Sequence, residues 1–200
     1  MKSMKFLTAA ALATVLASSA LAQQTQRVKG TVDKVDGNTL YVKGPDGAPI
    51  TLKLTDNALV VGVEKATLAD IKEGSYIGSG ALPQPDGSQK AVEVHIFAES
   101  QRGTGDGHRA NWDGAPNGTM TNGAVGNTVS SVDGQAIMIK YKDGEKKIVV
   151  GPNVPIVKYE IGNKSEIKSG SAINVVAAKK LPDGTFEAAR INVGRDGVKP

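Results

Sequence analysis

The chain repeats its turn signals at an almost constant spacing. The later copy of each signal follows the earlier one by 97 positions at the two ends of the unit, and by 96 in its middle. Four matches in the same order at nearly one spacing indicate two copies of one module. The matched segments are 35–37 with 132–134, 46–47 with 143–144, 71–75 with 167–171, and 85–87 with 182–184.

Apolar and polar residues alternate along most segments of both copies. This period of two is typical of strands with one buried face. Asp-Gly pairs between the segments supply the positive φ that tight hairpin turns need. We therefore expect five or six strands in each copy. The predicted inward-facing residues are Val28, Gly30, Val32, Leu40, Val42, Ile50, Leu52, Leu54, Val92, Val94, Ile96, Val125, Val129, Ile137, Ile139, Ile173, Val175, Ile191 and Val193.

One short stretch in the middle of each copy breaks the alternation. It runs over residues 67–71 and again over 163–167, and it opens with Thr67 and Asn163. Both residue types are good N-caps, so a single helical turn is predicted at each place. Gly74 and Gly170 would end the two turns. Short strands with such a turn favour a small OB-like barrel in each copy, with a two-sheet sandwich as the alternative.

The opening of the first copy reads GTVDKVDGNTLYV over residues 30–42. It resembles the start of a family of exported bacterial β domains, the domain of unknown function 5666. The segment before Gly74 and the strand over residues 91–96 are similar to later parts of that family. Asn127 of the second copy departs from the pattern, because the first copy has Gly30 there. The resemblance implies a small β fold and export, and it implies no activity.

The first 22 residues have the layout of a secretory signal peptide. Lys2 and Lys5 precede an apolar run too short to span a bilayer, and Ala20-Leu21-Ala22 matches the small-residue cleavage pattern. We expect cleavage after Ala22 and a periplasmic or secreted protein without a transmembrane segment. The predicted organisation is a signal peptide at 1–22, a first barrel module at 23–98, a Gly-rich linker or docking loop at 99–124, and a second barrel module at 125–200.

Composition narrows the chemistry. No cysteine is present, which excludes thiolate metal sites, disulfides and Cys nucleophiles. Without Lys2 and Lys5 of the predicted signal peptide, the 24 basic side chains fall to 22 against 20 acidic ones, a net charge of +2, so the chain is not expected to bind nucleic acid. Lys140, Lys142, Lys146 and Lys147 surround one predicted hairpin. They are either a solvated, edge-protecting face or a weak contact for an anionic cell-envelope component.

The central segment, residues 99–124, has six glycines, the single tryptophan, and no Val, Leu or Ile. Two interpretations stay open: a flexible linker, or an ordered loop that docks Trp112 on a module or a ligand. If a ligand site exists, we expect it between the modules, where this segment would bring Trp112, His108 and Arg109 against a barrel face. Trp112 supports the ordered interpretation, because exposing an indole is unfavourable.

Catalytic and metal motifs are weak. His95 is expected to be an exposed strand residue and His108 a solvated loop residue. His108 and His95 together with Asp106 and Asp113 form a candidate Cu or Zn set, although their spacing matches no ligand motif. No nucleophile elbow is present, and no cofactor is expected. The sequence therefore favours a non-catalytic periplasmic binding or structural protein, with Cu or Zn handling and then a small hydrolase as alternatives. Two kinds of partner stay open, an anionic cell-envelope component and another protein.

Overall fold

The protein is described by a computed structural model that covers residues 25–131 and 134–200. The predicted signal peptide and two residues of one predicted turn, Val132 and Asp133, lie outside the described residues. The strands are β1 (Thr25–Asp36), β2 (Thr39–Lys43), β3 (Pro49–Ala66), β4 (Tyr76–Pro83), β5 (Gln89–Ile96), β6 (Gly107–Trp112), β7 (Gly118–Ser131), β8 (Gly134–Tyr141), β9 (Gly144–Val150), β10 (Ile156–Ile161), β11 (Ala172–Lys180) and β12 (Phe186–Gly194). Single 3₁₀ turns occupy Leu68–Asp70, Glu99–Gln101 and Lys164–Glu166. No helix in the described residues has the length and apolar character needed to cross a membrane.

Five strands close into a barrel, which we call barrel A. Its strand order is β1, β2, β3, β12, β11 and back to β1. All neighbours are antiparallel except β3 and β12, which run parallel. The prediction of an all-β barrel is thus confirmed, and a flat two-sheet sandwich is wrong because the ring closes without an edge.

A second set of five strands, ring B, has the order β7, β8, β9, β5, β4 and back to β7. Its closing pair, β5 with β9, is parallel and joins two residue pairs. The tenth strand in sequence, β10, lies between the two assemblies, pairing antiparallel with β3 and parallel with β5. All twelve strands therefore form one continuous sheet system.

Each assembly draws strands from both halves of the chain. Barrel A takes β1–β3 from the first half and β11–β12 from the second. Ring B takes β7–β9 from the second half and β4–β5 from the first. The strand pairing therefore differs from the expectation that residues 23–98 and 125–200 each form a separate barrel. Hairpins with the same apolar pattern fit either ring, so periodicity alone does not specify which ring a hairpin joins.

The two predicted helical turns are present, each as one 3₁₀ turn. At the first turn, the Thr67 N–H and hydroxyl both donate to the Asp70 carboxylate, each at 2.8 Å. At the second, Asn163 Oδ1 accepts from the Ser165 N–H at 3.0 Å. Gly74 follows with φ of 81° and Gly170 with φ of 87°, as the prediction that these glycines end the turns requires.

The same two glycines form hydrogen bonds to the other half of the chain, and so take part in the exchange of strands between the halves. The Gly74 N–H donates to the Val125 carbonyl at 2.8 Å, and the Gly170 N–H donates to the Val32 carbonyl at 2.7 Å. Each bond joins the segment after one 3₁₀ turn to the first strand of the other half. The exchange is thus reciprocal.

At two other positions only glycine fits, because the backbone of a neighbouring strand lies too close for a Cβ. A Cβ at Gly30 would lie 2.3 Å from the carbonyl oxygen of Lys43, and a Cβ at Gly123 would lie 2.3 Å from that of Lys140. Gly123, not Asn127, therefore occupies the environment that Gly30 occupies in barrel A. The spacing of 97 made Asn127 the equivalent of Gly30. That equivalence is wrong because the β7–β8 pairing continues to Ser131, which makes this hairpin longer than the β1–β2 hairpin.

Alternation predicted the interior well. Two clusters of buried apolar side chains fill barrel A and ring B. Ile50, Val92 and Gly30 are only partly buried, and the side chain of Val129 lies outside the described part of the structure. The predicted inward residues that the structure buries are Val28, Val32, Leu40, Val42, Leu52, Leu54, Val94, Ile96, Val125, Ile137, Ile139, Ile173, Val175, Ile191 and Val193.

Candidate functional site

A cleft of about 960 Å³ lies between barrel A and ring B. Strands from both assemblies form its walls, together with the turn after β6 and the chain end at Lys199 and Pro200. This volume lies within the range of pockets that hold small ligands. Interfaces between domains are also common places for such pockets. The cleft is therefore the candidate site.

An aromatic cluster forms part of the cleft wall. The rings of His95 and Tyr159 are stacked, with centroids 5.1 Å apart and planes 8° from parallel. Phe97 meets both rings edge-on, at 4.9 Å from His95 and 5.6 Å from Tyr159. His95 is only 7% exposed, so the prediction of an exposed strand residue is wrong. Alternation placed it on the outer face of ring B, and on that face the rings of Tyr159 and Phe97 pack against it.

Burial sets the protonation of this cluster. It lowers the pKa of His95 to about 4, with the positive charges of Arg190 and Arg109 acting in the same direction. Burial also raises the pKa of Tyr159 to about 12. At neutral pH both rings are therefore uncharged.

Trp112 lies in the cleft wall on a surface made by glycines. A Cβ at Gly80 of β4 would come within 2.4 Å of the indole, one at Gly114 within 2.1 Å, and one at Gly118 within 2.8 Å. No other residue leaves room for the ring at these positions. Residues 107–112 and 118–124 of the central segment thus belong to β6 and β7, and Trp112 packs against glycines of β4 and of the β6–β7 connection.

Buried amides face the same space. Asn122 is 4% exposed, Asn174 is 7% exposed and Asn192 is 4% exposed, and all three line the cleft. The Asn122 Nδ2 group donates to the Thr104 carbonyl at 3.0 Å, which fixes the orientation of the amide. Within the described residues, Asn122 Oδ1 and Asn174 Oδ1 have no hydrogen-bond partner. Buried polar atoms without partners are rare and call for an explanation.

Charged side chains also line the cleft, and only some of them form ion pairs within the described residues. Arg27 pairs with Asp113 through Nε and Oδ2 at 2.8 Å. Arg190 is partly buried, which lowers the pKa of its guanidinium, and within the described residues no carboxylate lies at ion-pair distance from it. Glu93 is also partly desolvated, and this burial raises the pKa of its carboxyl. Within the part of the chain that the structure describes, the Arg190 guanidinium thus has no counter-ion.

The structure brings together two of the three residues that were predicted to meet between the modules. Trp112 and Arg109 line the cleft, and the Arg109 guanidinium is held by the Gly105 carbonyl at 2.9 Å. His108 does not line it. Its Nδ1 lies 2.8 Å from Thr121 Oγ1, and its ring lies over Tyr141 at 6.5 Å. Neighbouring residues of β6 point to opposite faces, which separates His108 from Arg109.

The predicted lysine cluster lies away from the cleft. Lys140 and Lys142 border a shallow depression beside Tyr76 and Arg102, and Lys146 and Lys147 lie on β9 of the same hairpin. None of the four lines the cleft. The structure confirms the hairpin itself, since Tyr141 pairs with Gly144.

The four candidate metal ligands are not brought together. Asp106 accepts hydrogen bonds from the Tyr76 hydroxyl at 3.2 Å and from the Lys142 N–H at 2.8 Å. Asp113 pairs with Arg27, whereas His95 and His108 lie in the separate environments described above. In residues 25–131 and 134–200, no three His, Cys, Asp or Glu side chains converge on one point. The geometry therefore gives the metal hypothesis no site.

Sequence reasoning missed most of the cleft. Glu93, Arg190, Asn174 and Asn192 were not predicted as site residues, because each lies between apolar residues like any outward-facing strand residue. Tyr159 lies between Lys158 and Glu160, so alternation gave no signal there. One signal was available. Strands β5 and β12 are equivalent in the two copies at a spacing of 97. At that spacing Glu93 corresponds to Arg190 and His95 corresponds to Asn192, so the type of side chain changes between the copies at both positions.

Comparison of the chain with protein-family models, with curated proteins and with solved structures finds no match. The resemblance to the exported β-domain family noted from the sequence stays a prediction.

Proposed function

We propose that this protein is a non-catalytic binding protein of the bacterial cell envelope, built from two OB-like modules that hold a small polar ligand between them. In each ring the strands follow the order 1-2-3-5-4 that an OB-like module has, with the last two strands supplied by the other half. The signal peptide predicted for residues 1–22 supports export. OB-like barrels commonly serve as binding surfaces, which agrees with this assignment.

The observation that carries the proposal is the set of desolvated polar groups without partners in the cleft. An unpaired buried amide oxygen costs about 1–3 kcal/mol. Asn122 Oδ1 and Asn174 Oδ1 are two such atoms within the described residues, and the partly buried Arg190 guanidinium lines the same cleft. A ligand that supplies their partners would remove this cost.

The proposal is tested by thermal unfolding of residues 23–200 with a panel of compounds. The panel holds hexoses, sugar acids, dipeptides, lipid head-group analogues, peptidoglycan fragments and divalent metals. A compound present at about 100 times its dissociation constant stabilises the fold by roughly 2.7 kcal/mol, which is a readily measured shift in Tm.

A matched pair of variants assigns any shift to the cleft. Val176 lines the cleft and is 55% exposed, so Val176→Trp fills the cleft without disturbing a core. Ile161 on β10 is 47% exposed and does not line the cleft, so Ile161→Trp is the control. We expect stabilisation of the wild type and Ile161→Trp, but not of Val176→Trp. If no compound gives a shift that Val176→Trp removes, the proposal fails.

Hydrolysis in the same cleft is a second candidate function. Burial raises the pKa of the Glu93 carboxyl, as a general acid requires, and Asp113, which pairs with Arg27, lines the same cleft. Incubation of the protein with oligosaccharides that stabilise it would reveal new reducing ends. Loss of that activity in Glu93→Gln, with ligand binding retained, would favour hydrolysis, whereas intact oligosaccharide favours binding alone.

A further inference from the structure

We infer that the ligand of this cleft is an acidic saccharide, a sugar that carries a carboxylate, bound through Arg190 and the buried amides. The inference rests on the proposed function, because it names the ligand class of the same site. It follows from three features of the cleft: an unmatched guanidinium, several amides, and walls that are partly apolar.

The charged side chains that line the cleft indicate the sign of the charge on the ligand. Arg27, Lys29, Arg109, Arg190 and Lys199 line it, against the two side-chain carboxylates of Glu93 and Asp113. Asp113 is paired with Arg27, which leaves Arg190 without a counter-ion in the described residues. A planar guanidinium binds a carboxylate through two parallel hydrogen bonds. An anion therefore fits here, and a metal cation does not.

The side-chain amides of the cleft indicate which groups the rest of the ligand carries. Asn122 is held by Thr104 so that its oxygen accepts, and the Asn174 oxygen is also free to accept. Asn111 and Asn192 add two more amides to the lining. Each amide offers both a donor and an acceptor, which matches neighbouring hydroxyl groups, since a hydroxyl also does both. A polyhydroxylated ring uses all of these groups, whereas a simple carboxylic acid leaves the acceptors unpaired.

Apolar surface completes the fit. Val176 is exposed in the cleft, and Val157, Pro155 and the partly buried Tyr159 line it as well. Sugar rings present C–H groups on their faces, and these groups pack against such surfaces. A dipeptide is the nearest competitor, because Glu93 is able to accept its ammonium group. Glu93 is already under the field of Lys29 and Arg27, which opposes binding of a second cation.

The single tryptophan makes the test specific to the site. Trp112 is the only tryptophan in the chain and lies in the cleft wall, so its fluorescence reports on ligands that enter. The probes are glucuronate and galacturonate, the neutral hexoses glucose and galactose, and the dipeptide alanyl-alanine. We expect at least one of the two acids to change the emission with a Kd roughly 10- to 100-fold below that of its neutral hexose.

Two substitutions separate the acid contact from the hydroxyl contacts. Arg190→Gln should raise the Kd of the acid towards that of the hexose and leave hexose binding unchanged. Asn122→Ala should weaken acid and hexose by the same factor. Arg102→Gln removes a guanidinium that pairs with Glu99 outside the cleft, and it should change neither. If Arg190→Gln does not fold, Arg190→Lys replaces it and should weaken the acid alone, since Lys keeps the charge but not the paired geometry.

Each other outcome overturns the inference in a distinct way. Equal binding of acid and hexose removes the role of the anion, while the cleft remains a binding site. Tighter binding of alanyl-alanine than of either acid removes the saccharide. A response to none of these probes also removes it, and the wider panel with Val176→Trp then decides separately whether the cleft binds any compound.

Discussion

Barrel A and ring B have the same strand order but close their rings differently. In barrel A, β3 is one continuous strand and pairs with β12 at eight positions, with a register shift between Ala188 and Arg190. In ring B, the matching run of chain is split, and β5 pairs with β9 at two positions and with β10 at three. The interruption contains Pro152 and Pro155, which have no N–H to donate to a ladder. We call the parallel strand contacts that close each ring its seam: β3 with β12 in barrel A, and β5 with β9 and β10 in ring B. The seam of ring B is therefore weaker than the seam of barrel A.

The weaker seam is also where the cleft lies. Pro155 lines the cleft, and its carbonyl accepts from the Val94 N–H at 3.0 Å. Residues 92–95 of β5 line it as well. The two rings thus share one strand order, and the ring whose third strand is interrupted has that interruption beside the polar cleft. The comparison indicates that the cleft accompanies the split of this strand into β9 and β10.

The largest expected effects come from the glycines that both rings place against a carbonyl. Gly30→Ala and Gly123→Ala should each lower the free energy of unfolding by about 3 kcal/mol, since a Cβ would overlap a backbone oxygen that moves only with its strand. Urea denaturation measures both. Gly126→Ala is the control in the same strand as Gly123, because its Cβ would meet only the flexible Lys140 side chain. A harmless Gly123→Ala would show that ring B is packed less closely than described.

The next effect is a pH dependence that only ring B should carry. His95 has its folded pKa lowered to about 4, mainly by burial, while the unfolded value stays near 6.5. The unfolded chain therefore binds a proton first, so this contribution to stability is present above pH 6.5 and is lost as the pH falls towards 4. Between pH 7 and pH 5 the loss is about 2 kcal/mol.

His95→Asn gives ring B the residue that barrel A has at the matching position, Asn192, and should remove that loss. Glu93 acts with the opposite sign, because burial raises its folded pKa, and its contribution remains in the variant. Urea midpoints at pH 7 and pH 5 for the two proteins give the comparison. Equal pH slopes in wild type and variant would contradict the burial of a neutral His95.

The smallest effect concerns a lysine that caps barrel A alone. Lys164 Nζ donates to Asn38 Oδ1 at 2.8 Å, to the Asp56 carbonyl at 3.0 Å and to the Thr55 carbonyl at 3.1 Å. The matching residue at ring B is Leu68, which packs on the apolar cluster. Lys164→Leu should lower the free energy of unfolding by about 1–2 kcal/mol, because three acceptors lose their donor. Lys168→Leu on an exposed site is the control, and an equal effect of the two would remove the capping role.

The sequence predicted the parts of this fold that depend on local pattern. Alternation identified the strands and most of the core, and Thr67 and Asn163 identified the two 3₁₀ turns. The exchange of hairpins between the halves was not predictable, because hairpins with the same pattern fit either ring. The site followed only in part: Trp112 and Arg109 were identified because they stand out in a Gly-rich segment. Arg190 and Asn174 were missed because their role depends on which strands face each other across the cleft.

Native-state amide hydrogen exchange tests the central claim, that the seam of ring B is the weaker one, most directly. It compares the amides of Ile191, Asn192 and Val193 in the β3–β12 seam with those of Val94, His95 and Ile96 at the matching positions in the β5–β10 seam. The account predicts that the seam of ring B exchanges through smaller openings, with a lower free energy than the seam of barrel A, which should approach the free energy of global unfolding. Equal protection of the two seams, or weaker protection in barrel A, would contradict it.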